Sequence, residues 1–362
     1  MGGAVFASRR DVNFMSNWLD LKDNPRLRSV YERRGQILRC IREFFWQRNF
    51  VETDVPTALR YPGQEPYLNP VPLTFHDPLG RPQPLYLQTS PEFSLKKLLA
   101  AGFSPIFSLT RSFRDYEEFG RTHNTEFTLL EWYRAPGVYQ DFMEDMEALF
   151  KYVGAKLGCT TLRCQENSVS LQQSWQRRSM KELWSQYIGI NLDNYLEFEP
   201  LRVIAKKRGY TVNESDEYED IFFKIFLNEI EQHLGFDAPT FVYDYPKRMS
   251  SLSRACADDP RYAERVECYI AGLEIANGFG ELVDANEQKQ RLEVDQALRR
   301  KLGKATWPID PEFIAALGAK TLDTAAGVAM GVDRMVLLFT GAHDLNEVIF
   351  QSVADQFENN QQ

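Results

Sequence analysis

The sequence lacks a hydrophobic run long enough to cross a membrane, and it is poor in cysteine. Its most apolar stretch, residues 325–339, is interrupted by Asp333 and Arg334, whereas a spanning helix needs about 18 or more consecutive apolar residues. The five cysteines are an odd number and contain no CxxC pair, which excludes a disulfide framework. We therefore expect free thiols in a reducing compartment, with the cytoplasm as the default, and no membrane partner.

A secretory signal is also missing. Residues 1–14 carry Arg9 and Arg10 but no apolar segment followed by a cleavage site. Because Met15 is followed by a more regular pattern, these residues are expected to form a disordered arm or to be an over-extended start.

Positive charge is in deficit over the whole chain. The 362 residues include 42 Lys and Arg against 51 Asp and Glu, which gives a net charge of −9. We therefore do not expect non-specific attachment to nucleic acid or anionic lipid through overall charge, and a local basic groove stays open as an alternative. The composition, 43% hydrophobic and 26% charged, is typical of a soluble globular protein.

The hydrophobic pattern predicts antiparallel strands with helices interspersed, in one continuous domain of the α+β class. Helices are predicted over residues 29–49, 141–157, 287–302 and 334–339. Strands are predicted over residues 71–75, 85–89, 106–113, 126–133, 240–245, 266–279 and 327–332. The sequence between residues 159 and 260 is otherwise uninformative, and we assign it no chemistry.

The usual nucleotide and hydrolase motifs are absent: there is no GxxxxGK[ST] loop, no GxGxxG, no HExxH and no GxSxG. A nucleotide would have to be bound by side chains. The long loop between the strands at residues 106–113 and 126–133 is rich in both signs of charge, as a solvated surface hairpin would be. Alternation along the second strand, however, places Phe127, Glu131 and Tyr133 on one face beside the loop's Arg and His, as a site for ATP and an amine requires.

Two further clusters carry candidate chemistry. Residues 272–282 contain Glu274 and Glu281 around a glycine bend, and two carboxylates near a polyphosphate are a usual way of holding Mg²⁺; a strand with solvent-facing carboxylates is the alternative. Residues 327–334 combine small residues with Arg334 at a helix start. That pattern alone fits tight packing with a salt bridge as well as it fits a binding site.

Taken together and in this order, the three clusters resemble the motifs of class II aminoacyl-tRNA synthetases. Residues 34–56 resemble the first motif, residues 113–133 the second and residues 327–334 the third. The resemblance runs from about Ser29 to the end, and it implies an antiparallel sheet flanked by helices. We therefore expect a flexible N-terminal arm at residues 1–28 and a class II synthetase catalytic domain at residues 29–362.

Details within the motifs are similar to the lysine branch of the family. These are Thr-Ser-Pro-Glu at residues 89–92, His-Asn-x-Glu-Phe at residues 123–127 and Gly-Leu-Glu-Ile-Ala-Asn-Gly-Phe at residues 272–279. Glu-Trp-Tyr at residues 131–133 and Ala329 most resemble paralogues of lysyl-tRNA synthetase that modify elongation factor P. Fewer than thirty residues precede the first motif, which leaves no room for the barrel of roughly a hundred residues that binds an anticodon.

The resemblance implies an ATP-dependent, AMP-forming ligase that is a homodimer and uses Mg²⁺. It activates a lysine-type amino acid, (R)-β-lysine, and transfers it to elongation factor P, without stable tRNA binding. A truncated lysyl-tRNA synthetase that charges tRNA, and a non-catalytic paralogue that binds an amino acid and regulates a partner, are the alternatives.

The resemblance also implies roles for individual residues. The catalytic residues would be Arg114 at the α-phosphate and Arg334, which would sandwich adenine against Phe127. The full set expected to bind ATP is Arg114, Glu117, His123, Asn124, Phe127, Glu274, Ile275, Gly331 and Arg334. The residues expected to bind the amino acid are Ser90, Pro91, Glu92, Tyr133, Glu281 and Ala329. Mg²⁺ is expected on Glu274 and Glu281.

Some positions depart from the family pattern. The loop between Arg114 and His123 is one residue longer than expected, which leaves open whether Glu117 or Glu118 faces adenine. Thr125 replaces the usual proline, and Gly280 stands where paralogues often have a polar residue. None of these changes removes a charge that the chemistry needs.

Overall fold

The fold is built around one eight-stranded mixed sheet flanked by helices. The computed structural model describes residues 18–117, 120–353 and 356. The helices are α1 (Trp18–Asp23), α2 (Pro25–Trp46), α3 (Glu92–Ala100), α4 (Tyr139–Leu157), α5 (Met180–Leu183), α6 (Phe198–Lys207), α7 (Tyr218–Glu229), α8 (Ala285–Lys301), α9 (Pro311–Leu317) and α10 (Val332–Thr340).

The strands are short except around the centre of the large sheet. They are β1 (Val51–Glu52), β2 (Ala58–Leu59), β3 (Pro72–His76), β4 (Pro82–Leu87), β5 (Ile106–Phe113), β6 (Glu126–Arg134), β7 (Thr161–Cys164), β8 (Asn167–Ser170), β9 (Gln176–Ser179), β10 (Thr240–Pro246), β11 (Tyr262–Ile270), β12 (Leu273–Gly280) and β13 (Ala326–Gly331).

The large sheet has the order β1-β5-β6-β13-β12-β11-β10-β9. Its six inner strands pair antiparallel, and the edge strands β1 and β9 run parallel to their neighbours. The strands β6, β13 and β12, which carry the sequence clusters, are adjacent at its centre. The predicted class is confirmed.

Helix α2 begins earlier than its apolar pattern predicts. The Asn24 side chain caps it by accepting hydrogen bonds from the backbone N–H groups of Arg26 and Leu27, at 3.1 Å each, and Pro25 occupies the first turn. Helix therefore occupies most of residues 18–28, which the sequence assigns to an arm, while residues 1–17 lie outside the described residues.

The predicted strand over residues 266–279 is wrong in one respect, because it is a hairpin of β11 and β12. Ala271 and Gly272 form the turn with φ values of 54° and 77°. This left-handed pair suits the twist of a two-residue hairpin, but alanine is not a usual turn residue there. The hairpin matters because it brings residues of two strands face to face.

The apolar core fills the space between the sheet and helices α2, α4 and α10. A second apolar cluster lies under residues 180–245, and a third joins α3, α8 and α9. Within the described ranges, no helix has both the length and the apolar character that crossing a membrane requires.

Candidate active site

A cavity of about 330 Å³ opens on the sheet where β6, β12 and β13 meet the loop that follows β5. It brings together most of the residues that the sequence analysis assigns to ATP or the amino acid: Ser90, Glu92, Arg114, Glu117, His123, Asn124, Phe127, Glu274, Ile275, Ala329, Gly331 and Arg334. Pro91, Tyr133 and Glu281 are not among its lining residues, although Tyr133 and Glu281 lie just behind it. Glu117 lines the cavity, whereas Glu118 lies outside the described residues.

Arg114 begins the loop and lies over an aromatic ring. Its guanidinium carbon is 5.0 Å from the centre of the Phe127 ring. Burial lowers the pKa of Arg114, and the charges of Glu117, Glu65 and Glu274 oppose this shift. Its Nε is buried and has no hydrogen-bond acceptor in the described part of the chain. Arg114 is therefore a positively charged residue of the cavity lining with one N–H group that is available to a ligand.

Arg334 joins the loop to the neighbouring strand. Its Nη1 donates to the backbone oxygen of Glu274 at 2.7 Å, and its Nη2 lies 3.1 Å from Nε2 of His123. The same guanidinium donates to the backbone oxygen of Thr122 at 3.2 Å. Arg334 therefore ties the loop to β12 at the cavity wall.

Behind the cavity, Glu131 is completely buried and accepts two hydroxyl hydrogen bonds. The donors are Ser90 Oγ at 2.5 Å and Tyr133 Oη at 2.9 Å. Burial, reinforced by the charge of Glu92, raises the pKa of Glu131 to about 8. The sequence places Glu131 on the right strand face but does not assign it a role, because its two hydrogen bonds depend on the position of α3.

Lys96 was not anticipated, and it bridges two of the expected substrate residues. Its Nζ contacts Oε1 of Glu92 one helical turn away and Oε2 of Glu281 at 2.6 Å. Burial alone would lower the pKa of Lys96, but Glu281 and Glu92 raise it above its ordinary value. The i,i+4 spacing of Glu92 and Lys96 on a helix is the signal that would have revealed the first contact.

Glu274 is the second residue of β12, and Glu281 follows its last residue. Seven residues of extended strand span roughly 23 Å, and the sharing of one Mg²⁺ by these two carboxylates stays a prediction. Glu281 belongs to the cluster of Glu92, Glu131 and Lys96.

Across the hairpin, Glu274 has a different carboxylate neighbour, Glu267. Burial, and next the charge of Glu267, raises the pKa of Glu274 to about 7. Glu267 is itself 4% exposed and accepts from Tyr245 at 2.5 Å and Tyr269 at 2.7 Å. In the strand register Tyr269 faces Glu274, and Glu267 faces Asn277, whose buried Oδ1 has no hydrogen-bond donor among the described residues.

Comparison with known proteins agrees with this geometry. A family model described as class II tRNA synthetases (D, K and N) matches residues 9–352. Proteins named "Elongation factor P--(R)-beta-lysine ligase" from Klebsiella pneumoniae and from Salmonella paratyphi B are each 38% identical to this chain over 329 residues. Each match covers 88% of this chain and 93% of the relative.

Proposed function

Because the chain belongs to the class II tRNA synthetases of the D, K and N family, we propose that it is an ATP-dependent ligase for elongation factor P. It activates (R)-β-lysine as an aminoacyl-adenylate and transfers it to a lysine ε-amine of that protein. One observation carries the lysine-type substrate: three buried carboxylates, Glu92, Glu131 and Glu281, converge beside the cavity. Ammonium groups are the natural partners of such a set.

The reaction needs no protein nucleophile. The substrate carboxylate attacks the α-phosphorus of ATP, and pyrophosphate leaves. The acceptor amine then attacks the carbonyl of the adenylate and AMP leaves. The protein contributes alignment and charge stabilisation, for which Arg114 has a free donor.

For the nucleotide, Phe127 and Arg334 provide the two sides of an adenine site, and Glu117 lies where it can accept from the amino group of adenine. His123, Asn124, Ile275 and Gly331 complete the lining. The Asn124 amide already donates to the backbone oxygen of Glu126 at 2.7 Å, which makes it a support of the loop as well. Stacking of adenine on Phe127 requires the Arg114 guanidinium to move off the ring toward the α-phosphate.

For Mg²⁺, the candidate ligands on the cavity wall are Glu274 and the Asn277 side chain, whose buried Oδ1 has no donor among the described residues. The neighbouring Glu267 is already bound by Arg265, Tyr245 and Tyr269. When bound there, Mg²⁺ would neutralise the charge of the polyphosphate. We assign Glu281 to the amino acid in this proposal, because its Oε2 pairs with Lys96.

For the amino acid, Glu92, Glu131 and Glu281 accept from the two ammonium groups, and Ser90 and Tyr133 orient Glu131. Ala329 lies opposite Glu131 in the strand register and lines the cavity. Its methyl group takes space from the substrate's amine. Pro91 precedes α3 and sets the start of the helix that carries Glu92.

The chain also functions as a homodimer in this proposal, through the first-motif segment. Helix α2 ends at Trp46, which is 52% exposed, and Val51 on the edge strand β1 is 46% exposed. Analytical ultracentrifugation of the purified protein tests this point, with a single monomeric species as the contrary result.

One reaction tests the proposed function. The enzyme receives ATP, Mg²⁺ and (R)-β-lysine together with elongation factor P and tRNA, and mass spectrometry follows both acceptors. We expect the mass of one aminoacyl group on elongation factor P and uncharged tRNA. Charged tRNA with unmodified protein would support a tRNA ligase, and no pyrophosphate exchange with either lysine isomer would support a non-catalytic paralogue.

A further inference from the structure

Lys96 is held rigidly inside the protein. Only 2% of the residue is exposed, and its Nζ lies 6.0 Å from the centre of the Phe313 ring on α9. Phe313 in turn stacks on Phe93 with 3.9 Å between ring centres. The packing of α9 on α3 therefore fixes the ammonium group between Glu92 and Glu281.

The charges around Lys96 do not balance. Three carboxylates, Glu92, Glu131 and Glu281, surround one lysine, and the hydroxyl groups that bind Glu131 are neutral. When all three are ionised, two negative charges are left without a partner. A substrate with two ammonium groups supplies that number.

Lys96 also determines which carboxylate oxygens are free. It engages Oε2 of Glu281, while Oε1 is buried and receives no hydrogen bond from any described residue. Oε1 lies beside the Tyr133 ring: a Cβ at Gly327 would stand 2.8 Å from this oxygen and 2.1 Å from the ring. The free Oε1 of Glu281 and the Tyr133 ring therefore lie side by side next to Gly327.

We propose that Lys96 is a positioning residue for the amino acid: it holds the Glu92 and Glu281 carboxylates in place beside the cavity, and so favours a substrate with two ammonium groups. The physical reason is that two adjacent buried carboxylates without a cation between them repel each other and move apart. In a variant without Lys96, a substrate ammonium would also be drawn into the position that the lysine ammonium occupies in the wild type. This inference rests on the proposed function.

The test compares Lys96→Met with Lys97→Met on the same helix. Lys97 is the matched control because it pairs instead with Asp310, the residue that caps α9, at 2.8 Å. In ATP–pyrophosphate exchange, we expect Lys96→Met to raise the KM for (R)-β-lysine by about tenfold or more, with the KM for ATP changed by less than about twofold. Lys97→Met should leave both KM values within about twofold.

Two analogues test the selectivity, each lacking one ammonium group: norleucine and 6-aminohexanoate. With the wild-type enzyme, both should bind about a hundredfold more weakly than α-lysine in isothermal titration calorimetry, because each leaves a buried carboxylate unpaired. The difference in affinity between α-lysine and the two analogues should be smaller in Lys96→Met. This wild-type measurement still tests the selectivity for two ammonium groups if thermal unfolding shows that Lys96→Met does not fold.

The outcomes separate the two proposals. A KM for (R)-β-lysine that is unchanged in folded Lys96→Met, or that rises no more than the KM for ATP, overturns the role of Lys96 alone. Analogues that bind to the wild-type enzyme as tightly as α-lysine does would also overturn it. A wild-type enzyme that exchanges with neither lysine isomer overturns the proposed function, and this inference with it.

Discussion

Arg34 on α2 and Asp333 at the start of α10 form a buried ion pair, with Nη1 and Oδ1 2.6 Å apart. Both residues also bind Thr128 on β6. Arg34 donates to the Thr128 hydroxyl at 2.8 Å, and the Thr128 backbone N–H donates to Asp333 at 2.7 Å. The pair thus joins the first and third sequence motifs through the strand of the second. Because Arg334 follows Asp333 directly, this contact also sets the position of the cavity wall.

Removing one member of this pair should destabilise the fold. We expect Arg34→Met to lower the free energy of unfolding by about 3–5 kcal/mol, because it leaves Asp333 buried and unpaired. Arg28→Met on the same helix is the control: Arg28 is exposed and pairs with Glu32, so its loss should cost less than about 1 kcal/mol. Urea denaturation at equal protein concentration measures both, and equal losses would contradict a special role for the buried pair.

Arg114→Ala should lower adenylate formation by about a hundredfold or more, the usual cost of losing one preorganised donor to developing charge. ATP–pyrophosphate exchange measures it. Arg111→Ala provides the control, because Arg111 is exposed near the end of β5, three residues before Arg114, and lies 3.6 Å from Glu126. Near-normal exchange in Arg114→Ala, or an equal loss in both variants, would remove the phosphate role of Arg114.

Two glutamate variants distinguish the metal site from the amino-acid cluster. Glu274→Gln should raise the Mg²⁺ concentration for half-maximal exchange by about tenfold, because it removes the charged candidate ligand on the cavity wall. Glu281→Gln should raise the KM for the amino acid instead, since Glu281 lies beside Lys96 and Glu131. A change in Mg²⁺ dependence in Glu281→Gln alone would reverse the assignment.

Ala329→Gly should improve the use of α-lysine relative to β-lysine by widening the cavity opposite Glu131. One methyl group discriminates by only about 1–3 kcal/mol, so we expect a partial shift in the ratio of kcat/KM values. Ala326→Gly removes a methyl group from the same strand in the apolar core. An unchanged isomer ratio in Ala329→Gly would show that Ala329 only packs.

The reaction should depend on pH through Glu131 and Glu281. Burial raises the pKa of each to about 8, so at neutral pH these carboxyl groups hold protons that substrate binding must release. The kcat/KM for (R)-β-lysine should therefore rise as the pH increases through about 8, and Glu131→Gln should be less active and show a smaller rise. The control is Glu126→Gln, at a half-exposed position on the same strand.

The free energy of unfolding should depend on pH in the opposite direction and fall as the pH rises. In the unfolded chain Glu131 titrates near its ordinary pKa of about 4.3, and the folded protein keeps the proton to higher pH. The stabilising effect of this proton is full below about pH 4 and is lost as the pH rises through about 8. Unfolding without substrate should show this loss in the wild type and less of it in Glu131→Gln; equal slopes in the two proteins would contradict the shift.

Local sequence patterns were sufficient for the elements that carry the motifs. The apolar period of α2, the alternation in β5 and β6, and the small residues of β13 each predict their element within a few residues. These patterns reflect neighbours along the chain, because a helix face or strand face is determined by residues two to four positions apart. The roles expected of Arg114, Phe127 and Arg334 came from the resemblance of their motifs to the family, and the structure places all three around one cavity.

Pairing across the fold was decided only by the tertiary structure. Glu274 and Glu281 look like partners along the sequence, but an extended strand separates them, whereas the turn at Ala271 and Gly272 brings Glu267 toward Glu274. The contact between Lys96 and Glu281 likewise depends on how α3 packs against the end of β12. Such contacts join residues far apart in the chain, so their geometry follows from strand register and helix packing rather than from any local pattern.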